Sequence, residues 1–428
     1  MINVLVFPAG SEIGLEINNA LKYSKIINVY GGSSVNDHAD YVYSRMIHGI
    51  PYYSDNNFIS ILNSIIDQYH INFIYPALDT VQLFLTEHAE EVHATIITSD
   101  SNTIQICRSK AKTYKFFSNY SFVPFLYSTI SEIDKYPVFV KPSIGCSAIG
   151  AIRIDTKADL DLYLSENKDE IVIAEYLPGE EYTIDCFTDR NQKLQIIKPR
   201  IRSRVKCGIS VHSKEIPLDS QIEYIAETIN SNLHFNGAWF FQIKKDILGN
   251  YKLMEISARI PGTMGLSRNC GVNFPLLTLY NFMGVDVSLL DNKYDIEVDR
   301  AFISRYSLFI EYTSIYLDLD DTLILPSGKI NTLLMMYLYQ SVNEGKKIIL
   351  LSKHIHDIYH TLRKYKISLE LFDEIISVSK SANKSEYITD KKAIFIDDSF
   401  AERRDVANKL YIPVFDVDMI EALIDWRV

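Results

Sequence analysis

The sequence predicts a protein of several domains with mixed α/β and α+β architecture. Its 428 residues exceed the usual length of one domain and favour roughly two to four. Short apolar strands alternate with amphipathic helices towards both ends of the chain, which is typical of parallel sheets. The middle of the chain instead has β-rich runs joined by short loops. We therefore predict a parallel α/β domain over 1–105, an α+β domain over 106–310 and a second α/β domain over 311–428.

Composition and charge limit the classes of partner. The formal net charge is -11 at pH 7, whereas binding to a phosphate backbone favours a basic face, so nucleic acid is not expected. No apolar run approaches the length of a membrane span, and the first residues lack the pattern of a signal peptide. The 5 cysteines are scattered and include no CxxC pair, which indicates free thiols in a reducing compartment. We therefore expect a cytoplasmic protein that binds neither nucleic acid nor membrane.

Polar turns follow the predicted strands of the N-terminal domain. Residues 2–7 and 73–75 are typical of buried strands, and each is followed by a turn and a helix. In parallel sheets, ligands bind beyond the carboxyl ends of the strands. One rim of the sheet is therefore expected to carry Gly10, Ser11, Glu12, Gly31, Gly32 and Asp79. For each single glycine, a tight turn without a ligand is the simpler interpretation.

The stretch 136–154 joins two β-rich runs through a loop of small residues. Lys141 ends the first run, and the loop spans 143–150. A lysine provides a point charge for phosphate oxygens, and small residues let backbone N–H groups approach them. The loop is not a Walker loop, because no Gly-Lys-Ser/Thr follows and it leads into a strand. Taken alone, the pattern also describes an ordinary strand–turn–strand with one exposed lysine.

A hinge-like segment and a basic segment come next. Glu175, Tyr176 and Leu177 separate two predicted strands, and the backbone of such a hinge can read the edge of an adenine. Glu181 begins the second strand and provides a carboxylate for ribose hydroxyls. The segment 198–206 carries a cation at every second position, hence on one side of an extended strand. Such close like charges predict a bound anion, and a solvated edge strand is the alternative.

A hairpin is predicted around the turn at 249–250. Gln242 lies on its first arm. Glu255, Ser257 and Arg259 alternate on the second arm, so they share one face of a strand. A carboxylate, a hydroxyl and a guanidinium together suit Mg²⁺ and phosphate. A buried ion pair between Glu255 and Arg259 accounts for those two residues equally well.

The order of these motifs resembles that of the ATP-grasp enzymes, of the carbamoyl-phosphate synthetase, biotin carboxylase and D-alanine ligase kind. The resemblance covers residues 1 to about 310 and implies a pre-ATP-grasp α/β domain followed by an ATP-grasp fold. It rests on RSK at 108–110, VKP at 140–142, EYL at 175–177, Glu181, Gln242 and the run 255–263. It implies ATP and Mg²⁺ as cofactors, with Mn²⁺ as an alternative metal.

The resemblance also implies roles for individual residues. Lys110, Lys141 and Ser147 would contact the phosphates of ATP, while Glu175, Tyr176 and Leu177 would face the adenine and Glu181 would hold the ribose. Gln242, Glu255 and Ser257 would bind the metal, and Arg259 would stabilise the transferring phosphoryl group.

Two departures from the family's pattern stand out. Ser257 occupies the position where an asparagine metal ligand is common, and Ala258 replaces the usual proline. The loop 145–150 reads Gly-Cys-Ser-Ala-Ile-Gly, where Gly-x-Gly-Ser-x-Gly is common. A serine oxygen can still coordinate Mg²⁺ or orient a water that does, so we expect variation within an active enzyme.

The C-terminal segment carries a second set of carboxylates. Asp318 and Asp320 follow an apolar strand at i and i+2, and this spacing suits a nucleophile and a general acid/base for phosphoryl transfer. Further along the chain come Ser352, Lys384, Asp397 and Asp398. Like charges at this density require a cation at neutral pH.

Residues 311–428 resemble the haloacid dehalogenase-like (HAD) phosphatases, and the resemblance implies a Rossmann-like fold. The resemblance implies Asp318 as nucleophile, Asp320 as general acid/base, and Ser352 and Lys384 on the phosphoryl group. It implies Asp397 as a Mg²⁺ ligand, with Asp398, Asp318 and Asp320 as further ligands. The short connection between the first two motifs leaves little or no room for a cap. A degenerate, purely structural domain is the alternative.

Together the two resemblances predict a bifunctional enzyme. The ATP-grasp part would activate a small-molecule carboxylate as an acyl phosphate for attack by an amine or another nucleophile. The HAD-like part would hydrolyse a related phosphorylated intermediate. One alternative is an ATP-grasp kinase acting on a small molecule or a glycan precursor, and another is a nucleotide-binding sensor or scaffold with degenerate sites. The sequence leaves the substrates open, and an oligomer is compatible with it.

Overall fold

The computed structural model describes residues 1–145, 148–206, 208–292 and 294–427. The chain divides into two compact units, Met1–Phe302 and Ile303–Val428. No helix among the described residues is long and apolar enough to cross a lipid bilayer. Cys107, Cys186 and Cys270 are free and buried, and the other two cysteines lie outside the described residues.

The helices of the first unit are α1 (Glu12–Leu21), α2 (Phe58–Tyr69), α3 (Asp79–Glu87), α4 (Ser101–Arg108), α5 (Lys110–Phe116), α6 (Lys157–Glu166), α7 (Ser220–Asn232), α8 (Gly265–Asn269) and α9 (Phe274–Phe282). Its strands are β1 (Ile2–Phe7), β2 (Ile27–Gly32), β3 (Met46–Ile47), β4 (Phe73–Pro76), β5 (Thr95–Ile96), β6 (Val138–Pro142), β7 (Ile152–Ile154), β8 (Ile171–Glu175), β9 (Glu181–Thr188), β10 (Leu194–Lys206), β11 (Ile209–Glu215), β12 (Gly237–Lys245), β13 (Tyr251–Ser257) and β14 (Glu297–Asp299).

The second unit contains strands β15 (Ser314–Leu317), β16 (Lys347–Ser352), β17 (Glu374–Ser377), β18 (Ala393–Ile396) and β19 (Val414–Phe415). Its helices are α10 (Thr332–Asn343), α11 (Ile358–Lys364) and α12 (Phe400–Leu410).

The N-terminal sheet is parallel, with strand order β3-β2-β1-β4-β5. Val4, Leu5 and Val6 of β1 are fully buried, as expected for a central parallel strand covered on both faces. The strand order reverses between β1 and β4, and ligands of such sheets bind in the crevice at this point. Helix α1 follows β1 with Ser11 as its N-cap, and α3 begins at Asp79 just after β4. Both helix starts therefore lie at the crevice.

Two antiparallel sheets complete the first unit, with strand orders β7-β6-β8 and β13-β12-β9-β10-β11-β14. Strand β9 is central in the larger sheet and almost entirely buried. Trp239 of β12 lies fully buried against Phe235, with ring centroids 4.1 Å apart, and helix α7 packs on the same core. The hairpin β12–β13 has the predicted form, and it places Gln242 directly opposite Glu255.

The second unit is built on a parallel sheet of order β17-β16-β15-β18-β19. Its strand order also reverses once, between β15 and β18. Asp318 directly follows β15 and Asp397 directly follows β18. The two carboxylates therefore meet at the reversal point, where the carboxyl ends of both strands lie.

The mixed α/β prediction is confirmed, with parallel and antiparallel sheets in one chain. The compact division lies after Phe302. The finer domain boundaries predicted at 105 and 310 stay predictions.

Candidate active sites

A cleft in the first unit consists of three adjoining cavities of about 80, 190 and 260 Å³. Lys141 and Glu181 line both the small and the middle cavity. Lys110 and Glu255 line both the middle and the large cavity. The cleft therefore runs from the hinge-like segment, past the lysines, to a wide end lined by charged residues.

Lys141 is buried at the end of β6, with 5% of its surface exposed. Its Nζ donates to the Tyr114 hydroxyl at 2.6 Å and to the Met254 carbonyl at 3.0 Å. Burial lowers the pKa of Lys141 to about 7, and the nearby Lys110 cation adds to this shift. An anion in the middle cavity would favour the charged form again.

The loop 143–150 is anchored at its start by the junction of α4 and α5. The Lys110 backbone N–H donates to the Ser143 carbonyl at 2.8 Å, and Arg108 Nη1 donates to the Gly145 carbonyl at 3.0 Å. The loop closes at Gly150, whose φ of +72° suits a residue without a Cβ. Ser147, predicted to contact phosphate, lies outside the described residues.

The hinge residues line the smallest cavity together with Lys141. The Glu175 carboxylate accepts from the Phe125 N–H at 2.8 Å, so this side chain holds a neighbouring segment in place. The Tyr176 ring lies 4.8 Å from the Arg153 guanidinium, and Leu177 is buried. Glu175, Tyr176 and Leu177 thus line one cavity, and their contact with adenine stays a prediction.

Gln242 and Glu255 meet across the hairpin at the junction of the two larger cavities. Glu255 Oε2 lies 3.9 Å from Lys110 Nζ, and Gln242 Oε1 accepts from Arg202 Nη1 at 3.0 Å. The same Arg202 atom is paired with Glu181. Carboxylate and amide oxygens are the donors that Mg²⁺ prefers, so Glu255 and Gln242 fit this metal. Bound there, Mg²⁺ would neutralise phosphate charge.

Ser257 and Arg259 are both bound to Asp79. Arg259 donates from Nε and Nη2 to the two Asp79 carboxylate oxygens, at 2.9 and 2.8 Å. The Ser257 hydroxyl donates to Asp79 Oδ1 at 2.9 Å. The sequence placed Asp79 on the rim of the N-terminal sheet but assigned it no role. The available signal was its position directly after β4, at the reversal of strand order.

Carboxylates of the protein itself offset most of the positive charge of strand β10. It lies between β9 and β11, so the alternative of a solvated edge strand is wrong. A register shift between Arg202 and Val205 interrupts the predicted one-sided alternation. Its ion pairs are Lys198 with Glu215 and Asp291, Arg200 with Asp185, Arg202 with Glu181, and Arg204 with Asp299. A substrate anion is therefore not needed to offset these charges.

In the second unit, Asp318, Lys384 and Asp397 form a buried cluster. Lys384 Nζ lies 2.7 Å from Asp318 Oδ1 and 2.6 Å from Asp397 Oδ2. Ser352 at the end of β16 is fully buried. Carboxylate oxygens of Asp318, Asp397 and Asp398 lie within 4.8 Å of one another, a donor set that fits Mg²⁺.

Burial and charge set the protonation of this cluster. Burial raises the pKa of Asp318, although the Lys384 ammonium opposes the rise. Burial likewise raises the pKa of Asp397 to about 6. Burial alone would lower the pKa of Lys384, but the two carboxylates outweigh it and raise that pKa. Lys384 is therefore a cation at neutral pH.

Asp320 is exposed, unlike the buried cluster, with 51% of its side chain accessible to solvent. Its Oδ2 lies 2.8 Å from His354 Nδ1, while His354 Nε2 lies 2.8 Å from the Thr361 hydroxyl. The sequence did not identify His354, which follows β16 by two residues. The structure therefore gives Asp320 an oriented carboxylate that is accessible to solvent.

Comparisons with known proteins agree with the architecture of the first unit. Residues 167–301 match the family described as "ATP-grasp in the biosynthetic pathway with Ter operon". No significant match was found among curated proteins.

Three solved structures illustrate the likeness. The L-amino acid ligase from Bacillus licheniformis is 18% identical, with a TM-score of 0.53 over 66% of this chain and 74% of that one. N5-carboxyaminoimidazole synthetase from Staphylococcus aureus, complexed with ADP, is 16% identical, with a TM-score of 0.54 over 68% and 80%. The biotin carboxylase domain dimer of 2-oxoglutarate carboxylase from Hydrogenobacter thermophilus, in complex with MgADP, ADP and bicarbonate, is 15% identical, with a TM-score of 0.55 over 68% and 71%.

The chain therefore contains an ATP-grasp fold, as the sequence predicted. At these identities the likeness establishes the fold and not the reaction. The HAD-like assignment of residues 311–428 gains no support from these matches and stays a prediction.

Proposed function

We propose that the first unit is an ATP-dependent ligase that activates a small-molecule carboxylate. The observation that carries this proposal is the elongated cleft. Its centre is lined by two lysines and by Gln242 and Glu255, whose oxygens suit a metal ion. One end is lined by the hinge-like segment 175–177 and the other by arginines. Its dimensions and charges suit a nucleotide with the phosphates at the centre and a second substrate at the wide end.

In the proposed reaction, a carboxylate oxygen of the substrate attacks the γ-phosphorus of ATP, and the bond from phosphorus to ADP breaks. Lys110 and Lys141 hold the phosphate oxygens, and Arg259 stabilises the charge of the transferring group. An amine then attacks the carbonyl carbon of the acyl phosphate, phosphate leaves with the electrons of the broken C–O bond, and the nitrogen loses a proton to solvent. Glu255 and Gln242 would hold Mg²⁺ at the phosphates.

The test is release of ADP in a screen of carboxylate and amine pairs, followed by isolation of the product. An amide supports a ligase, whereas a phosphorylated metabolite identifies a kinase instead. Lys110→Ala is expected to abolish turnover. Lys115→Ala is the matched control, because Lys115 is exposed on the same helix and lines none of the three cavities. Normal ATP binding without stimulated turnover by any pair would contradict the ligase.

We further propose that the second unit is a HAD-type phosphohydrolase acting on a related phosphorylated intermediate. The supporting observation is the buried cluster in which Lys384 lies between Asp318 and Asp397. In this reaction an Asp318 oxygen attacks phosphorus, and the ester bond breaks while Asp320 gives a proton to the leaving oxygen. Water then attacks the aspartyl phosphate and gives a proton to Asp320 as phosphate leaves.

Phosphate release from generic esters, and from the products of the first unit, tests this proposal. No hydrolysis of any ester, with the unit folded and Mg²⁺ present, would indicate a structural domain. An ester accepted only when it derives from the first reaction would connect the two activities.

A further inference from the structure

Helix α3 holds the end of strand β13 and the two residues that follow it, including Arg259. Asp79 binds the Ser257 hydroxyl and the Arg259 guanidinium, and Gln82 Nε2 donates to the Ala258 carbonyl at 2.7 Å. Both gripping residues belong to α3. The last residue of β13 and the two residues after it are thus fixed by a helix about 180 residues away in the chain.

The pair between Asp79 and Arg259 is geometrically well defined. Two parallel N–H to oxygen bonds join a planar guanidinium to a carboxylate, which fixes the orientation as well as the distance. Arg259 Nη1 also donates to the Ile260 carbonyl at 3.0 Å, and the guanidinium lies 5.2 Å from the Phe240 ring centroid. Among the described residues, these bonds occupy three of the five N–H groups of Arg259. The remaining two are available to a ligand in the large cavity that Arg259 lines.

The charge state of Asp79 matches this arrangement. Burial raises the pKa of this carboxyl, but Arg259, Ser257 and Arg108 lower it more, so the pKa lies below its usual value. Burial likewise acts against the Arg259 cation, and Asp79 more than compensates. Each group therefore keeps the other ionised inside the protein.

The same carboxylate accounts for the unusual serine. Ser257 has only 7% of its surface exposed, and its hydroxyl hydrogen is directed to Asp79. A serine hydroxyl is shorter than the asparagine side chain that is common at this position. The shorter side chain leaves Asp79 room to bind both Ser257 and Arg259.

We infer that Asp79 is a positioning residue of the ATP-grasp site: it holds Arg259 in a fixed orientation and directs Ser257 away from the metal. Asp79 acts through Arg259, and Glu255 and Gln242 are the residues that would hold the metal. The catalytic consequence of this inference rests on the proposed ATP-dependent function. The bonds of Asp79 to Arg259 and to Ser257 do not depend on that function.

Kinetics test the catalytic consequence. Asp79→Asn keeps the shape of the side chain and is expected to lower kcat at least tenfold, with KM for ATP changed less than twofold. Because Asp79 acts through Arg259, the double variant of Asp79→Ala with Arg259→Ala should be no slower than Arg259→Ala alone, within twofold. Thr80→Ala is the matched control, because Thr80 is the next residue of α3 and makes none of these bonds. Equal losses of kcat and ATP affinity, multiplied in the double variant, would overturn the positioning role.

Two measurements decide the inference without any turnover. The Arg259 Nε–Hε resonance, assigned by its loss in Arg259→Lys, should exchange slowly with solvent and should broaden in Asp79→Asn. Mn²⁺ affinity of the protein loaded with a non-hydrolysable ATP analogue should change less than twofold in Ser257→Ala and fall at least tenfold in Glu255→Gln. A fast-exchanging Arg259 signal in the unmutated protein, or an equal loss of Mn²⁺ affinity in Ser257→Ala, would overturn it. Failure of every acceptor in the ADP screen would count against the proposed ligase alone.

Discussion

Nucleotide binding to the first unit is expected to take up a proton through Lys141. Burial and the neighbouring Lys110 lower the pKa of this lysine from 10.5 to about 7. At pH 8 only about 0.1 of the Lys141 side chains then carry a proton. Phosphate oxygens within contact distance favour the ammonium form, and a return towards the ordinary pKa requires uptake of about 0.9 proton at this pH.

The free energy at stake is substantial. The shift from 10.5 to about 7, about 3.5 pKa units, corresponds to roughly 5 kcal/mol between the charged and neutral forms of Lys141. The sign follows from linkage. Because the folded pKa lies below the unfolded value, the unfolded chain binds more protons between pH 7 and 10.5, so the stability of the nucleotide-free protein rises with pH in this window. Affinity for nucleotide should instead fall about tenfold per pH unit above 7.

Isothermal titration calorimetry of ATP-analogue binding at pH 8, in buffers of different ionisation enthalpy, gives the number of protons taken up on binding. Lys141→Arg is the control, because a guanidinium stays charged throughout and should bind nucleotide with little proton uptake. Uptake near zero in the unmutated protein, or the same uptake in Lys141→Arg, would refute the reasoning. In the first case Lys141 would be charged before binding, and in the second another group would be the proton acceptor.

Three further predictions concern other parts of the molecule. Asp318→Asn should abolish hydrolysis of phosphate esters and leave ATP turnover unchanged, measured by phosphate and ADP release, because the amide is a poor nucleophile. Trp239→Ala should lower the free energy of unfolding of the first unit, measured by urea denaturation, by about 3–5 kcal/mol. The substitution removes a fully buried ring that stacks on Phe235 and leaves a cavity. Lys384→Met should destabilise the metal-free second unit by about 3–5 kcal/mol, because two buried carboxylates lose their shared cation.

Each of these predictions has an internal control. Asp321→Asn changes the exposed neighbour of the proposed catalytic pair and should leave hydrolysis intact, so hydrolysis that survives Asp318→Asn would refute the nucleophile assignment. Trp239→Ala should leave phosphatase activity unchanged, and a loss below about 1 kcal/mol would mean that the site is not well packed. A Lys384→Met protein that is as stable as its parent without metal would show that Asp318 and Asp397 do not both stay ionised.

The sequence predicts the strands and the order of motifs well, because the spacing of apolar residues and the identity of turn residues are local signals. The hairpin that carries Gln242 and Glu255 is one example. Partners far apart in the chain are not visible in the same way: Asp79 and Arg259 are separated by 180 positions, and only the tertiary fold brings them together. His354 was missed because nothing in its neighbourhood links it to Asp320.

The basic strand shows why local charge can mislead. A run of alternating cations predicts an external anion when the strand is considered alone. In the folded chain each ion-paired cation has a carboxylate on another strand or loop, contributed by positions that range from Glu181 to Asp299. Counting charges within the run omits these partners.

The same pairs have a consequence for how the large sheet forms. Lys198 and Arg200 are themselves buried, while Ile197 and Ile201 on the other face of the strand pack against the apolar core. A slip by one residue would turn the two cations towards that apolar core. A slip by two residues keeps the facing of the side chains but separates each cation from its own carboxylate. Strand β10 therefore has one register in which all of these ion pairs form. We expect its charges to specify this register and to disfavour misaligned forms of the sheet. The ion pairs are Lys198 with Glu215 and Asp291, Arg200 with Asp185, Arg202 with Glu181, and Arg204 with Asp299.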